Sequence, residues 1–220
     1  MCNCKPTPVR PSLMMRFFEA IMRPLYKLRP RTVSGATGDV LEVGSGTGLN
    51  LDLYGEIASL TGIEPDVEAM KLAKQRAQGL PWPVKLLEVG AESMPFEDEQ
   101  FDSVVVTWVF CTIPELEKAI AEIWRVMKPG AKLFYVEHVR SPHRSMSWLQ
   151  DRLTPVWKRV AGGCHLNRTP RQWLEEAGLR HLEFKVVQAS VWNPFPMIAG
   201  VVEKPLTALE TSATTEVEQE

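Results

Sequence analysis

The sequence lacks the features that announce several protein classes. Nowhere do about 18 apolar residues run together without a charge, so no membrane-spanning helix is expected. Four cysteines in 220 residues are too few and too irregular for a disulfide framework. Neither sign of charge predominates: 25 Lys and Arg against 27 Asp and Glu leave a formal −2. That balance argues against a dedicated nucleic-acid binder, which usually carries a basic stripe. There is no internal repeat. What remains is 45% hydrophobic and 24% charged, ordinary for a soluble globular protein and long enough for one α/β domain with a sizeable core.

The two ends read differently from the middle. Residues 1–35 form an arm with Cys2-x-Cys4 and three early prolines, then an amphipathic helix from Ser12. Leu13, Met14, Phe17, Phe18, Ile21, Met22 and Leu25 mark its apolar side, and Pro24 and Pro30 punctuate its end. Arg16, Glu19 and Arg23 interrupt any secretory apolar core. A cytoplasmic location is therefore expected. The arm's Arg10, Arg16, Arg23, Lys27, Arg29 and Arg31 beside Met, Leu and Phe suit either peripheral membrane contact or docking on the domain, and docking is preferred. Residues 206–220 are rich in Thr, Ser and Glu and read as a disordered acidic tail. Cys2 and Cys4 lack a second Cys/His pair at metal-binding spacing, so no metal is expected. The sequence carries no signal for a particular oligomeric state.

Between the ends, strands at 40–43, 61–64, 84–89, 101–109 and 132–139 alternate with helices at 66–78 and 115–127. Pro65-Asp66 caps the first helix and Pro129-Gly130 stops the second. A helical insertion near 145–160 lies within a substrate-side stretch, 140–168, and a helix capped by Thr169-Pro170 ends at Gly178. Strands near 181–189 and 197–203 close the chain over a link too short for a crossover helix, so they must pair antiparallel. The domain at 36–205 is thus expected to be α/β, doubly wound, with a seven-stranded, mostly parallel sheet, a C-terminal antiparallel hairpin and helices on both faces.

The strongest chemical signal is Val40-Leu41-Glu42-Val43-Gly44-Ser45-Gly46-Thr47-Gly48. Glycines at a strand's carboxyl end let a ligand approach the backbone, where open α/β sheets bind ligands. The third glycine comes one position too early for a dinucleotide fingerprint, and no Lys-Ser/Thr follows, so a P-loop is excluded. Glu42 at the strand end would repel a pyrophosphate and welcome a cation. Glu64 ends the next strand, where an acid accepts hydrogen bonds from ribose hydroxyls. Ribose plus a cation, without diphosphate, describes S-adenosyl-L-methionine.

The segment LEVGSGTG resembles motif I of class I S-adenosylmethionine-dependent methyltransferases, and GIEPD resembles their ribose-binding strand end. GAESMPFEDEQFDSV and EIWRVMKPGAKLFYVEHV are similar to the adenine-side loop with the fourth strand and to the approach to the fifth, so the likeness covers about residues 38–140. WKRVAGGCHLNRTP and VWNPFPMIAGVVEK resemble, more sparsely, the methyltransferase-like seven group, the alkyl thiol methyltransferases. The resemblance implies a Rossmann-like fold. It implies cofactor contacts from Glu42, Gly44, Ser45, Gly46, Gly48 and Asn50 at the methionine end, and from Glu64 and Pro65 at the ribose. Ala91 and Glu92 would meet the adenine, and Thr107 and Trp108 the methionine portion.

Methyl transfer is an in-line displacement in which the cofactor brings its own leaving group, so no catalytic residue is dictated. A thiol acceptor needs deprotonation. His138 in Glu137-His138 and His165 in Gly162-Gly163-Cys164-His165 are the candidate bases. Cys111 and Cys164 read as small buried hydrophobes rather than nucleophiles. With Cys111, the aromatics Trp148, Trp157, Trp192 and Phe195 are candidates for an apolar acceptor pocket. The expected activity is methylation of a small-molecule thiol. A lipid amine or prenylated quinol as acceptor is the alternative, and a catalytically inactive cofactor-binding protein the remote one. Nucleic acid is not expected: Thr107-Trp108-Val109-Phe110 stands where base-amine methylation needs Asn/Asp-Pro-Pro-aromatic.

Overall fold

The computed structural model describes residues 27–188 and 195–206. Seven strands form one sheet: β1 Asp39–Val43, β2 Ser59–Ile63, β3 Val84–Leu87, β4 Phe101–Thr107, β5 Met127–His138, β6 Arg180–Gln188 and β7 Met197–Glu203. Their spatial order is β3-β2-β1-β4-β5-β7-β6. The first five are parallel neighbours, whereas β7 runs antiparallel to both β5 and β6. The helices are α1 Arg29–Val33, α2 Val67–Arg76, α3 Leu116–Val126, α4 Arg144–Val160 and α5 Pro170–Glu176.

The period of two along each strand divides the core. Leu41, Val43, Val104, Val106, Leu133 and Tyr135 face one side of the sheet, where α3 lays down Leu116, Ala119, Ile120 and Ile123. Val40, Val105 and Phe134 face the other, against Val33, Leu51 and Tyr54. Such apolar runs suit parallel strands covered on both faces. The strand order reverses between β1 and β4, so the loops after these two strands diverge and open a crevice at their carboxyl ends.

Local signals behave as their chemistry requires, with three corrections. The Asp66 carboxylate accepts from Ala69 N at 2.8 Å and caps α2, while Lys74 and Arg76 occupy its last turn. Pro30 does not end a helix: it sits in the first turn of α1, where a missing N–H costs nothing. Pro129-Gly130 does not end α3, which stops at Val126, and lies instead inside the opening of β5. Thr169 precedes α5 as expected but its hydroxyl makes no capping bond. The amphipathic stretch at 12–25, Cys2 and Cys4, Trp192 and the acidic tail from 207 lie outside the described residues.

Candidate active site

The crevice is a cavity of about 1110 Å³. Its near wall is the loop after β1. Gly44 N and Ser45 N both donate to Ile63 O, at 2.9 and 3.0 Å, which draws the loop across the end of β2. Gly44 and Gly46 both have left-handed backbones, with φ of +69° and +53°. Their surroundings differ. A Cβ at Gly44 would stand 2.4 Å from Val109 Cγ2, so this glycine lets the β1 and β4 loops touch. A Cβ at Gly46 would meet nothing nearer than Gly44 O at 4.0 Å, because it would enter the cavity. Gly48 is not on the cavity wall; a Cβ there would press on Ala73 Cα of α2 at 3.0 Å, so it serves packing.

Glu64 follows β2 and faces the cavity. Its Oε2 accepts from Gly46 N at 3.0 Å and its Oε1 from Asp66 N at 2.9 Å. Burial raises its carboxyl pKa, and these two backbone donors oppose the rise. A carboxylate has about four lone-pair sites, so two are left for hydroxyl donors. Pro65, Ala91 and Glu92 continue this wall.

Glu42 does not reach the cavity. The sheet's alternation turns it behind the wall, 1% exposed, where Asn50 Nδ2 donates to one oxygen at 2.8 Å and Tyr54 Oη to the other at 3.1 Å. Asn50, likewise buried, also donates to Thr107 Oγ1 at 3.0 Å. Arg29 of α1 donates to Asn50 Oδ1 at 2.7 Å and to Thr107 Oγ1 at 3.2 Å. Burial pushes the Glu42 pKa up to about 7, against the lowering pull of Asn50, Tyr54 and Arg29. Glu42 and Asn50 therefore shape the cavity from behind, through Thr107 and Arg29.

β4 ends in a strained turn. Trp108 adopts φ +57°, unusual for a bulky side chain, and its N–H donates to Val136 O at 2.9 Å. Arg29 stacks its guanidinium 4.7 Å from the indole centroid. The buried Trp108 Nε1–H, on a residue lining the cavity, has no partner among the described residues. Glu137 Oε1 fixes the next stretch by accepting from Val109 N at 2.7 Å and Phe110 N at 3.1 Å. Arg168 reinforces it by donating to the Phe110 and Ile113 carbonyls.

The far wall is apolar and rich in sulfur: Cys111, Trp157, Cys164, Phe195 and Met197, with His138 among them. His138 Nε2 lies 2.9 Å from His165 O and 3.4 Å from Cys164 Sγ. A carbonyl only accepts, so Nε2 carries the proton. Trp157 Nε1 also donates to Cys164 Sγ, at 3.3 Å. The Cys164 thiol is held well below its ordinary pKa, first by a hydrogen bond from Cys111 and then by the His138 and Trp157 donors, against burial. Burial would lower the His138 pKa, but the Cys164 sulfur and Glu137 raise it on balance.

Other candidate residues lie elsewhere. His165 is not on the cavity wall: its Nδ1 meets Cys111 O at 3.0 Å and ties the α4–α5 loop to the loop after β4. Trp148 is 58% exposed on α4, under the Arg152 guanidinium, and does not line the cavity. Sequence reasoning missed the convergence of Cys111, His138 and Cys164, because no short-range spacing links residues on three separate segments. It missed Arg29 and Asn50 as one network with Glu42 for the same reason.

Comparison with known proteins agrees with this architecture. A family described as a methyltransferase domain matches residues 41–135. The chain is 34% identical over 172 residues to thiol S-methyltransferase TMT1B of Rattus norvegicus, covering 76% of this chain and 68% of that protein. It is 36% identical over 108 residues to phosphatidylethanolamine N-methyltransferase of Cereibacter sphaeroides, covering 48% of this chain and 53% of that protein. Among solved structures, a SAM-dependent methyltransferase from Methanosarcina mazei superposes with a TM-score of 0.61 at 24% identity, covering 77% of this chain and 93% of that one.

Proposed function

As the chain belongs to the family of S-adenosylmethionine-dependent methyltransferases, we propose that its acceptor is a small-molecule thiol, methylated on sulfur. The observation that carries the proposal is one cavity with two unlike ends. Its volume of about 1110 Å³ exceeds the roughly 300–1,000 Å³ usual for one small ligand, so cofactor and acceptor fit together. Glu64 and the open face of Gly46 make a polar end suited to a ribose and a cationic methionine portion. Cys111, Trp157, Phe195 and Met197 make an apolar end suited to a thiol with a hydrophobic body.

The residues present fit S-adenosylmethionine, since Trp108 Nε1–H lacks a partner at the cavity among the described residues and Glu64 keeps acceptor capacity. When bound, the cofactor supplies an electrophilic methyl group on sulfonium. Glu64 and Pro65, with the Gly44–Gly46 backbone, then position its ribose and methionine parts, and Ala91 and Glu92 border the adenine. Trp157 and Phe195, 5.2 Å apart between ring centroids, exclude water around the acceptor. His138 is a polar group at the acceptor end, with its Nε2–H committed to His165 O. The relative that methylates thiols by its name is similar over more of this chain than the phosphatidylethanolamine methyltransferase is. A lipid amine is accordingly the second reading.

The test is direct. The full chain incubated with S-adenosylmethionine and a panel of alkyl and aryl thiols should release S-adenosylhomocysteine. Turnover on a lipid amine or quinol, with none on any thiol, would replace the acceptor. A cytoplasmic setting with peripheral membrane contact belongs to the same proposal, supported by the Arg/Lys pattern interleaved with Met, Leu and Phe at 10–27. Sedimentation with anionic liposomes, with and without residues 1–26, tests it.

A further inference from the structure

Cys111, His138 and Cys164 are all buried, and one ligand atom from each lies within 4.8 Å of the other two. They come from the loop after β4, the last residue of β5 and the loop after α4. All three border the cavity at its acceptor end. The geometry points to a binding site for a thiophilic divalent cation of the zinc class, held by these three side chains with its fourth position open to the acceptor.

Distance and chemistry agree. Metal–sulfur and metal–nitrogen bonds of about 2.3 and 2.0–2.1 Å at a tetrahedral angle place their donors about 3.5 Å apart. Cys164 Sγ and His138 Nε2 are 3.4 Å apart. Two sulfurs and an imidazole select a soft or borderline cation over magnesium or calcium. Three protein ligands with one open side match catalytic zinc sites, whereas structural sites close with four. His165 cannot close this one, because its ring is turned to Cys111 O. The indole N–H of Trp157, 3.3 Å from Cys164 Sγ, supplies the outer hydrogen bond that orients a ligating sulfur.

Binding balances as a proton exchange. The cation displaces the two thiol protons, which leave to solvent, while the imidazole keeps its single proton by carrying it on Nδ1, which frees the Nε2 lone pair now occupied by the N–H to His165 O. The chain contributes two thiolates and a neutral imidazole. An acceptor thiol entering the fourth position loses its S–H proton in turn and stays as a coordinated thiolate, since a coordinating thiol is deprotonated outright. This last role rests on the thiol reading of the acceptor; the metal site does not.

The experiment begins with the full chain purified without chelators and its metal content measured by mass spectrometry. Metal-free protein is then titrated with cobalt(II). About one equivalent should produce the visible bands of a tetrahedral site and near-ultraviolet sulfur-to-cobalt absorption. Cys111→Ser and Cys164→Ser should each weaken cobalt affinity by at least about 100-fold, and circular dichroism shows whether either variant has merely unfolded. On the unmodified chain, 2-mercaptoethanol should strengthen the sulfur-to-cobalt absorption as a third sulfur joins, a readout that needs no variant and no turnover. Absence of a tetrahedral spectrum, a spectrum unchanged in both variants, or a metal-free Cys111–Cys164 disulfide lighter by two hydrogen atoms would each overturn the site. Cobalt binding without thiol methylation keeps the site and removes the thiol acceptor. Undiminished thiol methylation by metal-free protein keeps the acceptor and removes the metal's role.

Discussion

Replacing Glu42 by glutamine should make the protein more stable at neutral pH, and by an amount that depends on pH in a defined way. Glu42 is sealed behind β1, and burial holds its pKa at about 7 instead of an ordinary 4.5. In the unfolded chain it ionises near 4.5. Between these values the native state keeps a proton that the unfolded state has released, so stability falls as pH rises and the loss is complete just above pH 7. At about 1.36 kcal/mol for each pKa unit, the loss is about 3 kcal/mol. The amide of an E42Q variant cannot ionise and escapes it. Its carbonyl can accept from Asn50 Nδ2, and its NH2 can donate to the Tyr54 oxygen, which now serves as donor to Glu42. Burial also raises Glu64 and Glu137, so the parent protein's whole curve mixes several falls of one sign. The difference between variant and parent isolates Glu42. Urea unfolding of both proteins from pH 4.5 to pH 8 should show that difference growing by about 3 kcal/mol, almost entirely below pH 7.5. Parallel curves would refute the reasoning, because they would mean that Glu42 ionises alike in both states.

Other perturbations probe binding and folding. Glu64→Gln should weaken S-adenosylmethionine binding at least tenfold in calorimetry, because two acceptors for hydroxyl donors become one, and should also lower the melting temperature, because the amide NH2 cannot accept from Gly46 N or Asp66 N. Gly46→Val should abolish binding, since its side chain would enter open cavity space, and should destabilise the fold as well through the left-handed backbone there; unchanged affinity in both variants would displace the cofactor from this wall. Gly44→Ala should destabilise by about 1–3 kcal/mol through its left-handed backbone, and further through the 2.4 Å approach to Val109, measured by chemical unfolding. Asp66→Ala should cost about 1 kcal/mol by removing the cap of α2, measured by chemical unfolding.

Much of this was legible along the chain because it rests on local rules. The mostly apolar run of β4, the Asp66 cap and the short closing link each predict their element from neighbours a few residues away, and each stands in the structure within a residue or two. The glycine loop was legible as a loop. What each glycine does was not: Gly46 opens to the cavity while Gly48 packs on α2, and only the third dimension separates them. Glu42 looked like a ligand because strand ends face crevices, yet the two-residue alternation turns it away from the cavity toward Tyr54. Trp148 looked like pocket lining because it is aromatic, but helical phase on α4 exposes it while Trp157 points inward. The Cys111, His138 and Cys164 cluster is assembled by the sheet's topology, and no spacing records it.

Arg29 gives the fold a long-range connection. This one side chain reaches from α1 to Asn50 and Thr107 and covers the strained Trp108 indole. A single guanidinium thus fastens the beginning of the described chain to the cavity wall. Any ligand that settles against Trp108 and steadies the wall must also steady the seat of α1, and by thermodynamic reciprocity a well-seated α1 must tighten that ligand's grip. Occupancy of the cavity and resistance of the backbone around Arg29 to proteolysis should therefore rise together, which makes the front of the chain a reporter of what the far end of the sheet holds.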